Sequence, residues 1–420
     1  MKILMITSLY HPHNRGGGEI SIKTIAESLY AEGNEVAVLA TSDKKGLSSE
    51  LINGVRVWRA GIKNVYWHHD KAKHSSIKKA LWHLIDVYNP SMIKYADTVF
   101  KKVQPDVIQI HAIFGWSSSI LRWAAKQKVL SVQVLHGYEL ACPKANTFKD
   151  GQRCLTQCLS CNLAKMPHKH FSNKLNGVVG ISNSVLKKYA SFGFFKDVGV
   201  KRTIYNARNP EMIGLTAAST LENALDLSSG ANLNYPTHER LDNSIVRFGF
   251  MGNIAQMKGV ELLLETFKAH APPNAELWIA GTGVEDYVQP LHARFGDSKT
   301  RFVGKSFPAQ FFRDIDVAIV PSLWDEPLGV VVFEALAFGC PVIGSSRGGI
   351  PEMIQVGVSG LVFDPDEPMG LANAISLLAQ DSQLRNSFAE NARRSVEHFL
   401  STSRIANEYV DFYNIIRKDS

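Results

Sequence analysis

The chain has 420 residues, of which 45% are hydrophobic and 20% charged. That composition fits a soluble globular protein too long for one ordinary core, with two domains of about 200 residues each. No apolar run reaches the roughly 18 residues needed to span a bilayer, which argues against a membrane-embedded chain. The opening Met1–Tyr10 lacks the small-residue cleavage site of a secretory leader and reads as a first buried strand, so a cytoplasmic protein is expected.

The net charge of +7 conceals an asymmetry. Residues 1–205 hold 29 Lys and Arg against 13 Asp and Glu, a balance of +16, and residues 206–420 hold 17 against 26, a balance of −9. Such a split points the first half toward something anionic. No recognised nucleic-acid module is present, so an anionic membrane surface or a phosphorylated lipid fits at least as well as nucleic acid. A merely solvated basic face is the plain alternative.

Short β-branched runs alternate with amphipathic stretches from end to end, which predicts α/β architecture with two doubly wound parallel sheets facing a cleft. In the first domain, 1–206, strands are expected at Ile3–Thr7, Glu35–Ala40, Val55–Arg59, Asp106–His111, Leu130–His136, Val178–Ile181 and Thr203–Tyr205. A helix fits each interval, and Pro90 should kink or split the one over Ser75–Lys102. Residues 207–244 are polar and aperiodic and read as a linker or insertion. The second domain, 245–400, starts a fresh series at Ile245–Phe250, Glu276–Ala280, Arg301–Val303, Asp316–Val320, Val342–Gly344 and Gly360–Phe363. The last helix, 401–420, is expected to pack back toward the first domain.

Three turns carry residues suited to a phosphorylated ligand. After the first strand come Arg15, Gly16, Gly17 and Gly18, where backbone can approach a phosphate at a helix N-terminus. The Gly-x-Gly-x-x-Gly spacing is absent, and a plain tight turn explains the loop about as well. The second domain repeats the pattern with Gly252, Asn253, Lys258 and Gly259, where the lysine adds a point charge to free amides. A structural turn is again the rival reading. The third turn is the informative one. After Asp316–Val320 come Asp325, Glu326, Pro327 and Gly329, with Glu334 eight residues beyond Glu326. Open amides at Gly329 and Val330 suit a phosphate, and the two carboxylates suit sugar hydroxyls and a ribose diol. An ordinary helix start with acidic residues favoured by the dipole remains the rival.

The run from Glu326 to Ile354, followed by Gly357–Pro368, closely resembles the nucleotide-binding half of the retaining glycosyltransferases of family 4, which have the GT-B fold. Val103–His111, Gly180–Ser184 and Ile204–Asn206 fall where similar signatures of that family belong, so the resemblance covers most of the chain. It implies a sugar transferred with retention from a nucleotide-diphosphate donor to an acceptor, with no metal needed for catalysis. By position, Glu334 would bind the ribose, Glu326 would contact the transferred sugar, and Gly329 and Val330 would offer amides to the donor. Lys258 would neutralise the leaving diphosphate, Gly16 and Gly17 would meet the same phosphates, and His136 would lie at the transfer site. Asn253 stands where many members have Arg, so Lys258 carries that charge alone or with another cation such as Arg15.

Cys142, Cys154, Cys158 and Cys161 are spaced C-x11-C-x3-C-x2-C, a density that in a cytoplasmic chain suggests structural zinc or buried free thiols rather than disulfides. Histidines 68, 69, 74, 168 and 170 read as solvated surface. Ile77–Ile85 mixes lysines with Trp82 and aliphatics and reads as an amphipathic core helix, with a membrane-surface helix as the alternative. The expectation as a whole is a glycosyltransferase using a UDP- or GDP-sugar and a glycan or lipid-linked acceptor in surface polysaccharide or glycolipid synthesis. It would be cytoplasmic and peripheral on the inner face of the membrane, with no nucleic-acid partner. The alternatives are a nucleotide-sugar epimerase of the same fold and a non-catalytic nucleotide-binding scaffold.

Overall fold

The computed structural model describes residues 1–13, 16–70, 74–215 and 244–419. Most of the expected linker, 216–243, lies outside them, as does Arg15. Contacts divide the chain into two compact units: Met1–Thr147 with Cys154–Ala207 and Ser401–Ser420, and Phe148–Arg153 with Arg208–Leu400.

In chain order the first stretch forms strands β1 (Lys2–Thr7), β2 (Glu35–Ser42), β3 (Leu47–Ile52), β4 (Val55–Gly61), β5 (Val107–Ile110) and β6 (Leu130–Leu135). A short hairpin of β7 (Phe148–Lys149) and β8 (Gln152–Arg153) belongs to the second unit, and β9 (Gly177–Gly180) and β10 (Val200–Thr203) complete the first. Its helices are α1 (Gly17–Ala31), α2 (Ser76–Val87), α3 (Ile93–Val103), α4 (Ser119–Ala124), α5 (Leu159–Ala164), α6 (Met166–Ser172) and α7 (Asn183–Ser191). The sheet order is β10-β9-β6-β5-β1-β2-β4-β3, parallel except for the β3–β4 pair.

Covered parallel sheets need strands apolar on both faces, and β1 meets that demand with every residue but Lys2 buried. The sequence signal fails where that demand is absent. Leu47–Ile52 is an exposed edge strand of mixed polarity with no apolar run to announce it. The last strand lies at Val200–Thr203, upstream of the expected Thr203–Tyr205. Pro90 splits the long helix as expected: α2 ends at Val87, a 3-10 turn spans Pro90–Met92, and α3 starts at Ile93. The expectation of a core helix at Ile77–Ile85 is corrected, since within α2 only Trp82 and Asp86 are buried while Ile77 and Leu84 are 81% and 71% exposed.

The second unit contains β11 (Val246–Met251), β12 (Ala275–Ala280), β13 (Thr300–Gly304), β14 (Val317–Val320), β15 (Val342–Ser345) and β16 (Gly360–Phe363). Its helices are α8 (Val260–His270), α9 (Glu285–Phe295), α10 (Pro308–Asp314), α11 (Val330–Ala337), α12 (Gly370–Gln380) and α13 (Ser382–Leu400). All six strands are parallel in the order β13-β12-β11-β14-β15-β16. Counted from β11 this is 3-2-1-4-5-6, the doubly wound order in which ligands bind where strand order reverses. Phe248, Leu277, Ile319 and Ile343 are at most 1% exposed in its core, each worth roughly 1.5–3 kcal/mol of burial.

The last helix, α14 (Thr402–Asp419), returns to the first unit. Tyr413 donates its hydroxyl to the buried Gln109 Oε1 on β5 at 2.7 Å. A Cβ at Gly177 would come 2.5 Å from Ile416 Cδ1 and 2.9 Å from Phe412 Cζ, so the helix packs closely over β9 at this glycine.

Candidate active site

In the second unit the order reverses between β11 and β14, and the loops leaving those two strands carry most of the candidate donor-binding residues. After β11 the chain makes a 3-10 turn at Gln256–Lys258 and enters α8 through Gly259, at φ 70°. A Cβ on Gly259 would lie 1.8 Å from the Pro321 carbonyl oxygen, so this crossing requires glycine. The Leu323 amide donates to the Met257 carbonyl at 2.9 Å and ties the two loops together.

That crossing brings Lys258 to Glu326, 68 residues later: Nζ lies 2.5 Å from Oε1, and Ser322 Oγ donates to the same oxygen at 2.8 Å. Glu326 is 7% exposed, and its Oε2 has no hydrogen-bond partner among the described residues. The backbone beneath it is pinned by the Gly349 amide, which donates to the Glu326 carbonyl at 2.7 Å. Gly348, at φ 61°, permits that approach, because a Cβ there would meet the Glu326 amide nitrogen at 2.3 Å.

Helix α11 starts at Val330, three residues after Pro327, with Gly329 as its cap at φ 81°. No side chain caps it and its first turn holds no acidic residue, so the reading of an acidic helix start does not describe this loop. Glu334 lies on the second turn. Arg208 Nε donates to its Oε1 at 3.2 Å, while burial pushes the carboxyl pKa up and Arg208 pulls it back. Asn253 is exposed after β11.

In the first unit the order reverses between β1 and β5. Gly16 caps α1 in extended conformation, and its amide is taken by the Glu19 carboxylate at 3.1 Å, with Gly17 opening the helix. His111 follows β5 and His136 follows β6. His111 Nδ1 and His136 Nε2 are 2.8 Å apart, one ring donating to the other, and the rings stack with centroids 5.1 Å apart. Burial first, and His136 second, hold His111 well below the ordinary histidine pKa, so its ring is neutral.

Two family profiles match the chain in succession. "Glycosyltransferase Family 4" covers residues 15–211, and "Glycosyl transferases group 1" covers residues 239–395. The chain is a family 4, group 1 glycosyltransferase. An uncharacterized glycosyltransferase of Methanocaldococcus jannaschii is 27% identical over 99% of this chain and 98% of its own. A lipopolysaccharide core biosynthesis glycosyltransferase of Rhizobium meliloti is 31% identical over 38% of this chain and 47% of its own. The solved structure of Anabaena HepE with UDP-glucose superimposes with a TM-score of 0.65 at 18% identity, covering 98% of each chain, which shows the shared GT-B fold.

Several of the glycosyltransferase's site residues carry no signal in the sequence. Ser322 and Arg208 are known only through their contacts with Glu326 and Glu334. A buried charged group surrounds Lys165, whose pKa burial lowers against the pull of Asp86 and Glu139. Burial raises Asp86 to about 8 and Glu139 to about 7. Asp86 accepts the Gly115 amide at 2.8 Å. The histidines expected on the surface are partly built in: His168 is 1% exposed, and His74 stacks on Tyr66 at 3.7 Å.

In the cysteine loop, Cys142 is buried and Cys154, Cys158 and Cys161 are half-buried. Burial first, then the thiols of Cys158 and Cys142, push the Cys161 thiol up to about 12. Among the described residues no group of three or more His, Cys, Asp or Glu is arranged to hold a metal ion.

Proposed function

We propose that this glycosyltransferase takes its sugar from a UDP- or GDP-sugar and passes it, with retention, to a glycan or lipid-linked acceptor in surface polysaccharide synthesis. The observation that carries the donor half is the Lys258–Glu326–Ser322 group at the switch point, beside the uncapped N-terminus of α11 and one helix turn from Glu334. The UDP-glucose in the structurally similar Anabaena protein and the lipopolysaccharide role of the Rhizobium relative support this choice of substrates.

In the proposed reaction the bond from the anomeric carbon to the diphosphate oxygen breaks as the bond to the acceptor oxygen forms on the same face. The acceptor's proton passes to the departing diphosphate. Lys258 and the α11 amides stabilise the charge that builds on the leaving group, and Glu326 Oε2 accepts hydrogen bonds from the transferred sugar. His111 orients His136 through the hydrogen bond between their rings, and in this reading His136 meets the reacting sugar.

Replacing Glu326 by Ala tests the assignment. Transfer should fall by about 10³-fold, the range for losing a group that stabilises the transition state. Nucleotide affinity should be largely kept, because Lys258 is released from its carboxylate partner. Turnover within tenfold of wild type would reject the site.

The acceptor half of the proposal places the first unit against an anionic membrane. No helix among the described residues is long and apolar enough to cross one. The exposed apolar residues Ile77 and Leu84 on α2, and Leu159 and Leu163 on α5, instead suit shallow insertion. Lys78 and Lys79 on α2 and Lys169 on α6 add attraction to acidic lipid. Cosedimentation with phosphatidylglycerol vesicles at low salt, weakened by Ile77→Glu with Leu84→Glu, is the expected outcome. No cosedimentation would reject peripheral attachment.

A further inference from the structure

Arg208 is 2% exposed, and burying a guanidinium is costly unless a specific partner compensates. Among the described residues it is the one group that hydrogen-bonds or ion-pairs with Glu334, through Nε to Oε1 at 3.2 Å. The arginine is also fixed from behind. Its amide donates to the Phe399 carbonyl at 2.9 Å, and Phe399 stacks on Phe333, the neighbour of Glu334, with centroids 5.4 Å apart and 16° between the planes. The main chain that carries Arg208 and the helix that carries Glu334 are therefore braced by the same residue of α13.

An isolated carboxylate in this position would be raised toward its neutral form by burial and free to rotate. With one oxygen engaged by a planar, fixed donor, the other is left in a defined direction with no partner among the described residues.

We propose that Arg208 is the positioning residue for Glu334: by holding Oε1 it aims Oε2 at the ribose diol of the donor nucleotide. The inference rests on the reading that Glu334 takes the ribose, and it goes beyond that reading in assigning the orientation to a residue on the connector between the units. A purely structural ion pair would tie the connector to α11 and would weaken every ligand alike. A positioning residue acts on recognition of the ribose hydroxyls in particular.

The test is calorimetric binding of UDP and of 2′-deoxy-UDP, or of GDP and 2′-deoxy-GDP if wild type binds GDP more tightly. It uses the full-length wild type, Arg208→Met, Arg208→Lys, Glu334→Gln and the Met/Gln double variant. Wild type should prefer the ribonucleotide by about tenfold, the worth of one hydrogen bond to a charged group. Arg208→Met should lose most of that preference and Arg208→Lys should restore part of it. In the double variant the arginine change should add nothing to Glu334→Gln.

Should Arg208→Met fail to fold, Arg208→Gln, closer in shape and polar, carries the same expectation. An undiminished ribose preference in a folded, uncharged Arg208 variant would overturn the inference while leaving Glu334 in place. An undiminished preference in Glu334→Gln would instead remove the ribose reading, and the inference with it. Absence of binding to either nucleotide by wild type would reject both.

Discussion

The two sheets solve the same problem at their switch points by different means. In the second unit, charges are paired directly: Lys258 with Glu326, Arg208 with Glu334, each within 3.2 Å. Glycines that no other residue can replace hold the loops at their crossing points. In the first unit, one group of charged residues is buried without direct pairing. Asp86, Glu139 and Lys165 influence one another without an ion pair between them, and His111 and His136 share one hydrogen bond between their rings. The second arrangement is a rigid receptacle for a ligand of fixed chemistry. The first is set by burial rather than by direct pairing.

The sharpest way to break this contrast is at Gly259. A methyl group there meets the Pro321 carbonyl at 1.8 Å in a backbone region that L residues avoid. Gly259→Ala should cost about 2–4 kcal/mol of stability, read as a lowered unfolding midpoint, and should weaken nucleotide binding by separating Lys258 from Glu326. A variant of wild-type stability would show that the crossing is not rigid.

An intermediate effect is expected in the first unit. His111→Phe keeps the buried volume but removes the partner of His136, so kcat should fall by roughly tenfold to a hundredfold while donor affinity is unchanged. A change confined to donor affinity would contradict the division of labour between the units.

The smallest effect concerns pH. Burial raises Glu139 from 4.5 to about 7, so the folded state keeps a proton that the unfolded chain releases. The stability this group contributes is fully present below pH 4.5 and is lost as pH rises through 7. Glu139→Gln should therefore flatten the fall in unfolding midpoint across that window, and an unchanged slope would mean the carboxyl is not buried as described.

The contrast also explains what was legible in the sequence. Twelve of the thirteen expected strands lie on observed ones with small shifts of boundary, because parallel strands buried on both faces must be β-branched runs. The edge strand Leu47–Ile52, buried on neither face, gave no such signal. Glu326 and Glu334 were visible because their roles sit within one short segment. Lys258 was visible as a phosphate-binding candidate but not as the partner of Glu326, 68 residues away, and Arg208, 126 residues from Glu334, was not visible at all, because nothing local in sequence marks an ion pair formed by a fold crossing. The amphipathic pattern at Ile77–Ile85 was real, but periodicity alone does not say whether the apolar side meets a core or faces outward.

The return of α14 to the first unit has a consequence for how the protein is made. Gln109 and Gly177 on β9 are covered by Tyr413, Phe412 and Ile416 of α14. During synthesis the first unit cannot close its core when its own strands emerge. It must wait for some two hundred further residues, roughly ten to forty seconds at ordinary elongation rates. The second unit, nearly contiguous from Arg208 to Leu400, can fold in that interval. The half that emerges first is thus the last to be finished, and removing α14 would leave the second unit's own residues in place while the first unit keeps an unsealed core.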